Sequence, residues 1–334
     1  MKIQKKIARK LVFPLLMKLG VDVLIRNRAK NSILNVMYHG VVSSDSCYFS
    51  PRHITANQFE QHLKYYKKNF TIITCNEAFK KLSQKKEIEK KYLTISFDDG
   101  FKNNLTTALP LLEKYDIPTT FFISSVCTLN NETNYLWSEV IAALNYFYKA
   151  KDLEVDNLVF QNFKNQNTSL SDYIKSLPYK KRDKVLNEIE KKYDLKVKIE
   201  SLPEEIWKLL SPKELIELSK SPVTNIGSHG HNHYNLGEID PKAALKELRY
   251  SKKLLSELLK SEINLFAYPD GSYSKAIKDI TEKLKYTGQF AVDYKLHDDH
   301  SDLRIINRHG IASTTTFHSN MLSLNMAFNK KGLN

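Results

Sequence analysis

Short runs of β-branched and aromatic residues alternate with helical patterns along most of this chain of 334 residues. The runs lie at residues 34–38, 93–97, 119–123, 224–228, 265–268 and 290–292. Strands separated by helices pair in parallel, because each crossover returns the chain to the same end of the sheet. The alternation therefore predicts an α/β fold, either a parallel sheet or a barrel.

Two of the helices have clear start signals. Thr55 and Gln58 have the spacing of a capping box, in which each residue satisfies a backbone N–H of the other. Asp240 followed by Pro241 marks a second start, because proline is well tolerated in the first turn of a helix. We therefore expect one helix to begin after Thr55 and another after Asp240.

One stretch interrupts the alternation. Residues 135–210 are rich in Lys, Glu and Asn, are mostly helical in pattern and contain few strand-like runs. We interpret this stretch as a helical insertion within an α/β body at residues 33–320. A basic segment at residues 1–32 precedes the body, and we expect residues 321–334 to form a C-terminal tail.

Composition narrows the class of protein. Hydrophobic residues make up 42% and charged residues 26% of the chain, which is a globular balance. The three cysteines are far apart and odd in number, which excludes a disulfide scaffold. The net charge of +14 comes from dispersed lysines without an Arg-rich helix, so we expect no nucleic-acid partner. An anionic membrane remains open as a peripheral partner.

The N-terminal segment is basic and partly apolar. Its apolar run at residues 11–25 is interrupted by Lys18 and Asp22, and basic residues lie on both sides. The run is too short to span a hydrocarbon core about 30 Å thick, and it lacks the cleavage site of a signal peptide. An amphipathic helix fits, either on a membrane face or packed on the body. We expect a cytoplasmic protein, peripheral on the inner membrane face.

Two adjacent carboxylates end one of the strand-like runs. Residues 93–97 lead directly into Asp98, Asp99 and Gly100. Ligands in α/β folds bind at the carboxyl ends of strands, and a divalent cation relieves the repulsion between two carboxylates there. The alternative for an Asp-Asp-Gly sequence is a solvated turn, but the apolar strand before it favours a site.

Three histidines follow another strand-like run. His229, His231 and His233 come directly after residues 224–228, and imidazole is a common ligand of zinc and similar metals. From a helical turn, His229 and His233 would reach one ion while His231 faces away; in an extended segment all three would share a face. A surface histidine cluster is the alternative. Two histidines and one of the aspartates would form an open, catalytic type of metal site.

These motifs resemble those of the polysaccharide deacetylases, carbohydrate esterase family 4. The family's Thr/Ser-Phe-Asp-Asp-Gly motif matches residues 96–100, and its His-x-x-x-His motif matches residues 227–233. The resemblance covers roughly residues 33–126 and 211–315. It implies a distorted (β/α) barrel that carries the helical insertion.

The resemblance also implies roles for the strand-end residues. Asp99, His229 and His233 would hold one divalent metal ion, with zinc favoured and cobalt, nickel or manganese as alternatives. Asp98 would be the catalytic base that takes a proton from water.

The third family motif, which ends in Arg-x-x-Pro-aromatic, is matched only in part. Tyr268, Pro269 and Asp270 keep the proline, but Phe266 stands where the arginine would be. By resemblance, these three residues would line the substrate and oxyanion site, with the backbone N–H of Asp270 as an oxyanion donor.

Two further roles fall to residues outside these motifs. Arg304 or Arg308 would replace the missing arginine that orients the catalytic aspartate. His39, in Tyr-His-Gly near the N-terminus, resembles the general acid of a circularly permuted branch that acts on bacterial exopolysaccharides. His309 is the reserve candidate for the general acid.

The residues and the resemblance together predict a metal-dependent deacetylase. Its substrate would be an N-acetylated glycan, either a bacterial surface polysaccharide or its lipid-linked precursor. Trp137 and Trp207 in the insertion either line a glycan groove or pack in a core. A glycosidase would leave the histidines unexplained, and Tyr234 breaks the metallo-β-lactamase pattern. A catalytically inactive, glycan-binding member of the same fold is the main alternative.

Overall fold

A computed structural model describes residues 12–43, 49–84, 87–129, 135–149, 151–166, 168–311 and 313–331. The strands are β1 (Ile33–Tyr38), β2 (Gly40–Val42), β3 (His53–Thr55), β4 (Thr71–Ile72), β5 (Tyr92–Phe97), β6 (Thr119–Ile123), β7 (Leu153–Val155), β8 (Leu158–Phe160), β9 (Lys164–Asn165), β10 (Thr168–Ser169), β11 (Thr224–Ser228), β12 (Leu265–Ala267), β13 (Gly288–Ala291) and β14 (Ile305–Gly310). The helices are α1 (Phe13–Lys18), α2 (Val21–Arg28), α3 (Ala56–Asn69), α4 (Cys75–Ser83), α5 (Leu109–Lys114), α6 (Trp137–Phe147), α7 (Leu170–Ser176), α8 (Tyr179–Lys192), α9 (Leu195–Glu200), α10 (Pro212–Ser219), α11 (Pro241–Leu259), α12 (Lys275–Lys283) and α13 (Phe317–Lys331).

Seven parallel strands form a closed barrel. Their order is β1, β14, β13, β12, β11, β6 and β5, and β5 closes the ring by pairing with β1. Strands β1, β5, β6 and β13 are buried along their whole lengths. Strand β4 extends the sheet beside β5. The predicted (β/α) barrel is therefore confirmed, and each of the six strand-like runs overlaps one of its strands.

The seventh barrel strand, β14, was not predicted from the sequence. Ile305 and Ile306 begin it, but Asn307, Arg308 and His309 follow. Arg308 pairs with Asn35 of β1 and faces the same way into the barrel. Because the second half of β14 is polar, a search for apolar runs does not identify this strand.

Both helix starts are confirmed. The Thr55 hydroxyl accepts a hydrogen bond from the Gln58 N–H at 3.2 Å, which completes the capping box of α3. The Asp240 carboxylate accepts from the Lys242 N–H at 3.0 Å at the start of α11. These caps determine where the helices that follow β3 and β11 begin.

Between β6 and α10 the chain forms a substructure with its own core. Helices α6 to α9 supply most of this core, which includes Leu144, Ile174, Leu195 and Trp207. Four short strands also occur here as the hairpins β7–β8 and β9–β10, which we did not expect in a helical insertion. Asp156 and Asn157, both with positive φ, form the tight turn of the first hairpin.

The two ends of the described chain pack together. Helices α1 and α2 lie against α13, so residues 13–28 form a helix pair rather than a single helix, and residues 1–11 of the expected segment lie outside the described residues. Helix α13 crosses the boundary that we placed before residue 321, because Met321, Leu324 and Phe328 are fully buried. Residues 321–331 are therefore part of a packed helix and not a tail. Within the described ranges, we find no helix whose length and hydropathy suit a bilayer crossing.

Candidate active site

The two aspartates sit at a sharp turn where β5 leaves the barrel. The backbone N–H of Asp98 donates to the carbonyl of Tyr38, at the end of β1, at 3.0 Å. Asp99 and Gly100 then have positive φ values of 76° and 90°, a conformation that glycine adopts without steric cost. Both carboxylates are buried at the carboxyl end of the strands.

The second group of ligand candidates lies on a loop after β11. The His229 N–H donates to the Ile123 carbonyl at 2.9 Å, which anchors the loop to β6. Gly230 and His233 have positive φ, so the chain turns here without forming the helical turn that the spacing allowed. The rings of His229 and His233 lie 5.0 Å apart between centroids.

His231 faces away from this pair. Its Nδ1 lies 2.9 Å from the Ser125 hydroxyl, and its ring packs edge-on against Tyr250. Of the two arrangements left open by the sequence, the structure has the one in which His231 is not a ligand candidate. A substitution of His231 can therefore serve as the control for substitutions of His229 and His233.

Asp99, His229 and His233 form a compact cluster. Asp99 Oδ1 lies 3.2 Å from His233 Nε2 and 3.6 Å from His229 Nε2, and one ligand atom from each residue lies within 4.8 Å of the others. Bonds of about 2 Å to one ion would span such distances.

The hydrogen bonding of His229 and Asp99 also fits a metal ion, whereas at His233 burial would lower the pKa but the Asp99 charge raises it above its usual value. His229 Nδ1 donates to the Ala267 carbonyl at 2.8 Å, so its Nε2 lone pair remains available. Asp99 Oδ1 is buried and accepts no hydrogen bond of acceptable geometry from the described residues. Burial lowers the pKa of His229 to about 4, so this imidazole is neutral at pH 7, as a metal ligand must be.

Asp98 is held by an arginine from the opposite side of β1. Arg308 Nη1 and Nη2 donate to the two Asp98 oxygens at 2.6 and 2.8 Å, and the guanidinium is buried. Burial alone would raise the pKa of Asp98, but the Arg308 charge lowers it below its usual value. Arg308 thus orients the Asp98 carboxylate, whereas Arg304 pairs with Asp302 and Glu282 near the surface.

The two candidate general acids lie on different faces of the barrel. His39 follows β1 and interacts electrostatically with Asp98 and Asp99; burial lowers its pKa, and the two carboxylates oppose that shift. His309 pairs with Val36 on the outer face, because side chains alternate along a strand and Arg308 points inward. His309 lines an outer cavity of about 600 Å³, so the reserve candidate is not at the site.

The tyrosine ring of the third motif does not face the site. Only the backbone turn that follows it remains a candidate for the oxyanion role. The Tyr268 ring is fully buried, and its hydroxyl donates to Gln289 Oε1 and lies 3.2 Å from the Thr281 hydroxyl, so this side chain does not line the site as we expected. Pro269 is buried in the turn, and Asp270 has a φ of 52°. Burial would raise the pKa of Asp270, but the charges of His233 and Lys175 lower it, and Lys175 Nζ lies 3.1 Å from Asp270 Oδ1.

An arginine that no motif indicated also contacts the cluster. Arg52 Nη1 lies 3.3 Å from Asp99 Oδ2 and 2.8 Å from the Ser138 hydroxyl, and Arg52 forms an ion pair with the fully buried Glu139. The sequence gives one sign of this contact. Glu139 is the single acidic residue in the mostly apolar helix α6, so a buried basic partner is expected for it. Trp137 Nε1 donates to the His233 carbonyl at 3.0 Å, so the insertion borders the site.

Glu247 on α11 holds the loop that carries the histidines. Its Oε1 accepts hydrogen bonds from the backbone N–H groups of His231, at 2.9 Å, and of Asn232. Its Oε2 accepts from the Asn232 side-chain amide at 3.1 Å. Glu247 is 7% exposed, and it fixes the backbone between the two ligand candidates.

Comparison with known proteins agrees with this geometry. The polysaccharide deacetylase family model matches residues 85–289, and the chain belongs to that family. The chain is also 34% identical over 89 residues, 26% of its length, to "Putative polysaccharide deacetylase YxkH" of Bacillus subtilis (strain 168). That match spans 30% of the length of the relative.

Solved structures share the fold. IcaB from Ammonifex degensii has a TM-score of 0.57 and 16% identity, with 89% of this chain and 98% of that chain covered. A de-N-acetylase from Aggregatibacter actinomycetemcomitans has the same score and identity, with 89% and 99% covered. Streptococcus pyogenes deacetylase PplD, solved with acetate, has a TM-score of 0.55 and 18% identity, with 88% and 98% covered. Identities this low establish likeness of fold.

Proposed function

We propose that this protein is a metal-dependent deacetylase that removes acetyl groups from N-acetylated sugars of a bacterial surface polysaccharide or of its lipid-linked precursor. The observation that carries the proposal is the Asp99, His229 and His233 cluster next to the buried Asp98–Arg308 pair. The similarity in fold to a protein named as a de-N-acetylase supports the choice of bond.

The cluster would hold one divalent ion, with zinc favoured over cobalt, nickel and manganese. Such an ion supplies Lewis acidity, which polarises a carbonyl and lowers the pKa of water toward about 7. Asp98 is the group that accepts the proton of the attacking water, since Arg308 keeps it ionised and fixes both of its oxygens. Arg52 neutralises part of the charge on Asp99 and borders the same space.

The remaining roles concern the leaving group and the oxyanion. His39 follows Tyr38, whose carbonyl accepts from the Asp98 N–H at 3.0 Å, and we assign His39 the proton that the leaving amine needs. The backbone N–H of Asp270, in the turn after β12, is the proposed oxyanion donor. Trp137, which borders the site through His233, offers a ring face on which a sugar would pack.

The test is release of free amine and acetate from N-acetylated oligosaccharides by the metal-loaded protein. We expect turnover that a chelator removes and added metal restores. Asp98→Asn should keep the metal and lose turnover, because it removes the base and leaves the ligands. An inert preparation that binds glycan but no metal would instead support the inactive glycan-binding alternative.

The cellular location belongs to the same proposal. We place the reaction on the cytoplasmic face of the inner membrane, because the N-terminal segment combines basic and apolar residues. Fractionation of cells with a protease-accessibility assay tests this assignment.

A further inference from the structure

Helices α1 and α2 expose an apolar surface. Val12, Leu15, Leu19, Val23 and Leu24, which we call the N-terminal apolar face, are between 42% and 70% exposed. The other large hydrophobic side chains that the structure shows as exposed are spread over the molecule; they are Tyr146, Val159, Val197, Tyr250, Leu303 and Met326. Isolated exposed apolar residues are ordinary, but a group on neighbouring turns indicates a surface that meets an apolar partner.

The inner side of the helix pair makes both polar and apolar contacts with the protein. Asp22, the acidic residue of α2, is 6% exposed and accepts a hydrogen bond from the Tyr65 hydroxyl at 3.0 Å. The amide of Asn325 on α13 donates to the Asp22 carbonyl at 3.4 Å. Polar contacts thus fix the inner side of α2, while Val23 and Leu24 face outward. Met17 packs against the core and Ala29 is 5% exposed, so the helix pair is apolar on both sides, and its outer apolar residues are additional to those that contact the protein.

The charge around the apolar face is positive. Lys18, Arg28 and Lys30 are exposed beside it, whereas the single acid of residues 12–30, Asp22, is buried and lies 3.6 Å from Arg26. The sequence at residues 1–11 adds Lys2, Lys5, Lys6, Arg9 and Lys10 and no acid. A second copy of this chain would bring the same positive charge, so charge complementarity selects an anionic partner.

We propose that the N-terminal apolar face docks this protein on the surface of a bilayer that contains anionic phospholipid. Leu15, Leu19 and their neighbours enter the interface between headgroups and acyl chains, and the flanking lysines and arginines bind lipid phosphates. The helix pair lies along the membrane and does not cross it. This docking deepens the membrane location given with the proposed function, but it does not depend on the deacetylase chemistry, so vesicle binding and turnover can fail separately.

Flotation of the full chain with vesicles of phosphatidylcholine, with and without phosphatidylglycerol, tests the proposal. We expect binding to the anionic vesicles that weakens as salt is added. The L15D/L19D variant should bind at least about tenfold more weakly, because two apolar contacts are lost and two negative charges are added. The matched control is V159D/V197D, which carries the same charges at exposed apolar positions in the insertion.

Three results would overturn the proposal. They are equal binding to both kinds of vesicle, binding that L15D/L19D leaves unchanged, and an equal loss in V159D/V197D. A fourth is a wild-type dimer that L15D/L19D separates into monomers without any flotation of the wild type, since the face would then join two copies. Thermal unfolding of both variants checks that they remain folded.

Discussion

Arg308 and Asp98 form a buried, two-bond pair that joins β14 to the end of β5, with N–O distances of 2.6 and 2.8 Å. We propose that Arg308 takes the role for which the family's third motif would use an arginine at the position of Phe266. Because the guanidinium binds both carboxylate oxygens, it sets the orientation of Asp98 as well as its charge. The proposed catalytic base is therefore fixed by strand β14 of the barrel and not by the turn at Pro269.

Arg308→Lys should reduce turnover by about ten- to a hundredfold, because a lysine keeps the charge but cannot bind both oxygens of Asp98. Metal content should stay at the wild-type level, since Arg308 contacts no ligand candidate in the cluster. The kcat and the bound metal of the purified variant check this. Arg304→Lys, at the surface pair with Asp302, is the control and should keep wild-type kcat. Wild-type kcat in Arg308→Lys would contradict the orienting role.

His39→Ala should lower kcat by about a hundredfold or more, as loss of a general acid does, while the protein still binds metal. His309→Ala should leave kcat near the wild-type value, because His309 lies on the outer face of β14. A comparison of the two variants on an N-acetylated substrate with a poor leaving amine gives the clearest difference. The reverse order of activities would assign the acid to His309.

Glu247→Ala should weaken metal binding by about ten- to a hundredfold, the usual cost of losing support behind metal ligands. The variant leaves the N–H groups of His231 and Asn232 without their buried acceptor, so the loop between the two histidines loosens. Glu247→Gln keeps an amide oxygen as acceptor and should restore part of the affinity. At saturating metal, kcat should recover in both variants. Unchanged metal affinity in Glu247→Ala would show that the loop needs no such support.

Much of the site could be predicted from the sequence because its residues follow apolar strands. Asp98 and Asp99 end β5, and His229 begins the loop after β11, so a parallel barrel brings them to the same end. The two strand ends and the preference of imidazole and carboxylate for a cation predicted a site made of two histidines and one of the two aspartates. The choice of Asp99, His229 and His233 came from the resemblance to the polysaccharide deacetylases.

The parts that the sequence did not reveal depend on contacts between distant segments. Strand β14 carries inward-facing polar residues, so its apolar pattern is too short to identify it. Arg52 reaches Asp99 only because α6 places Glu139 beside it. Tyr268 follows the family motif, but its hydroxyl finds partners in the core behind the barrel wall. Each of these features depends on packing between segments that are distant in the sequence. Local sequence patterns do not reveal such packing.

The central claim is that Asp99, His229 and His233 bind one metal ion, and metal stoichiometry tests it most directly. After loading and removal of free metal, we expect one ion per chain in the wild type and in His231→Gln. In the wild type the His231 imidazole lies against the Ser125 hydroxyl and not in the cluster. His229→Gln should retain little or none, because the cluster loses one of its three ligands. Equal metal content in His229→Gln and His231→Gln, or no metal in the loaded wild type, would contradict the account.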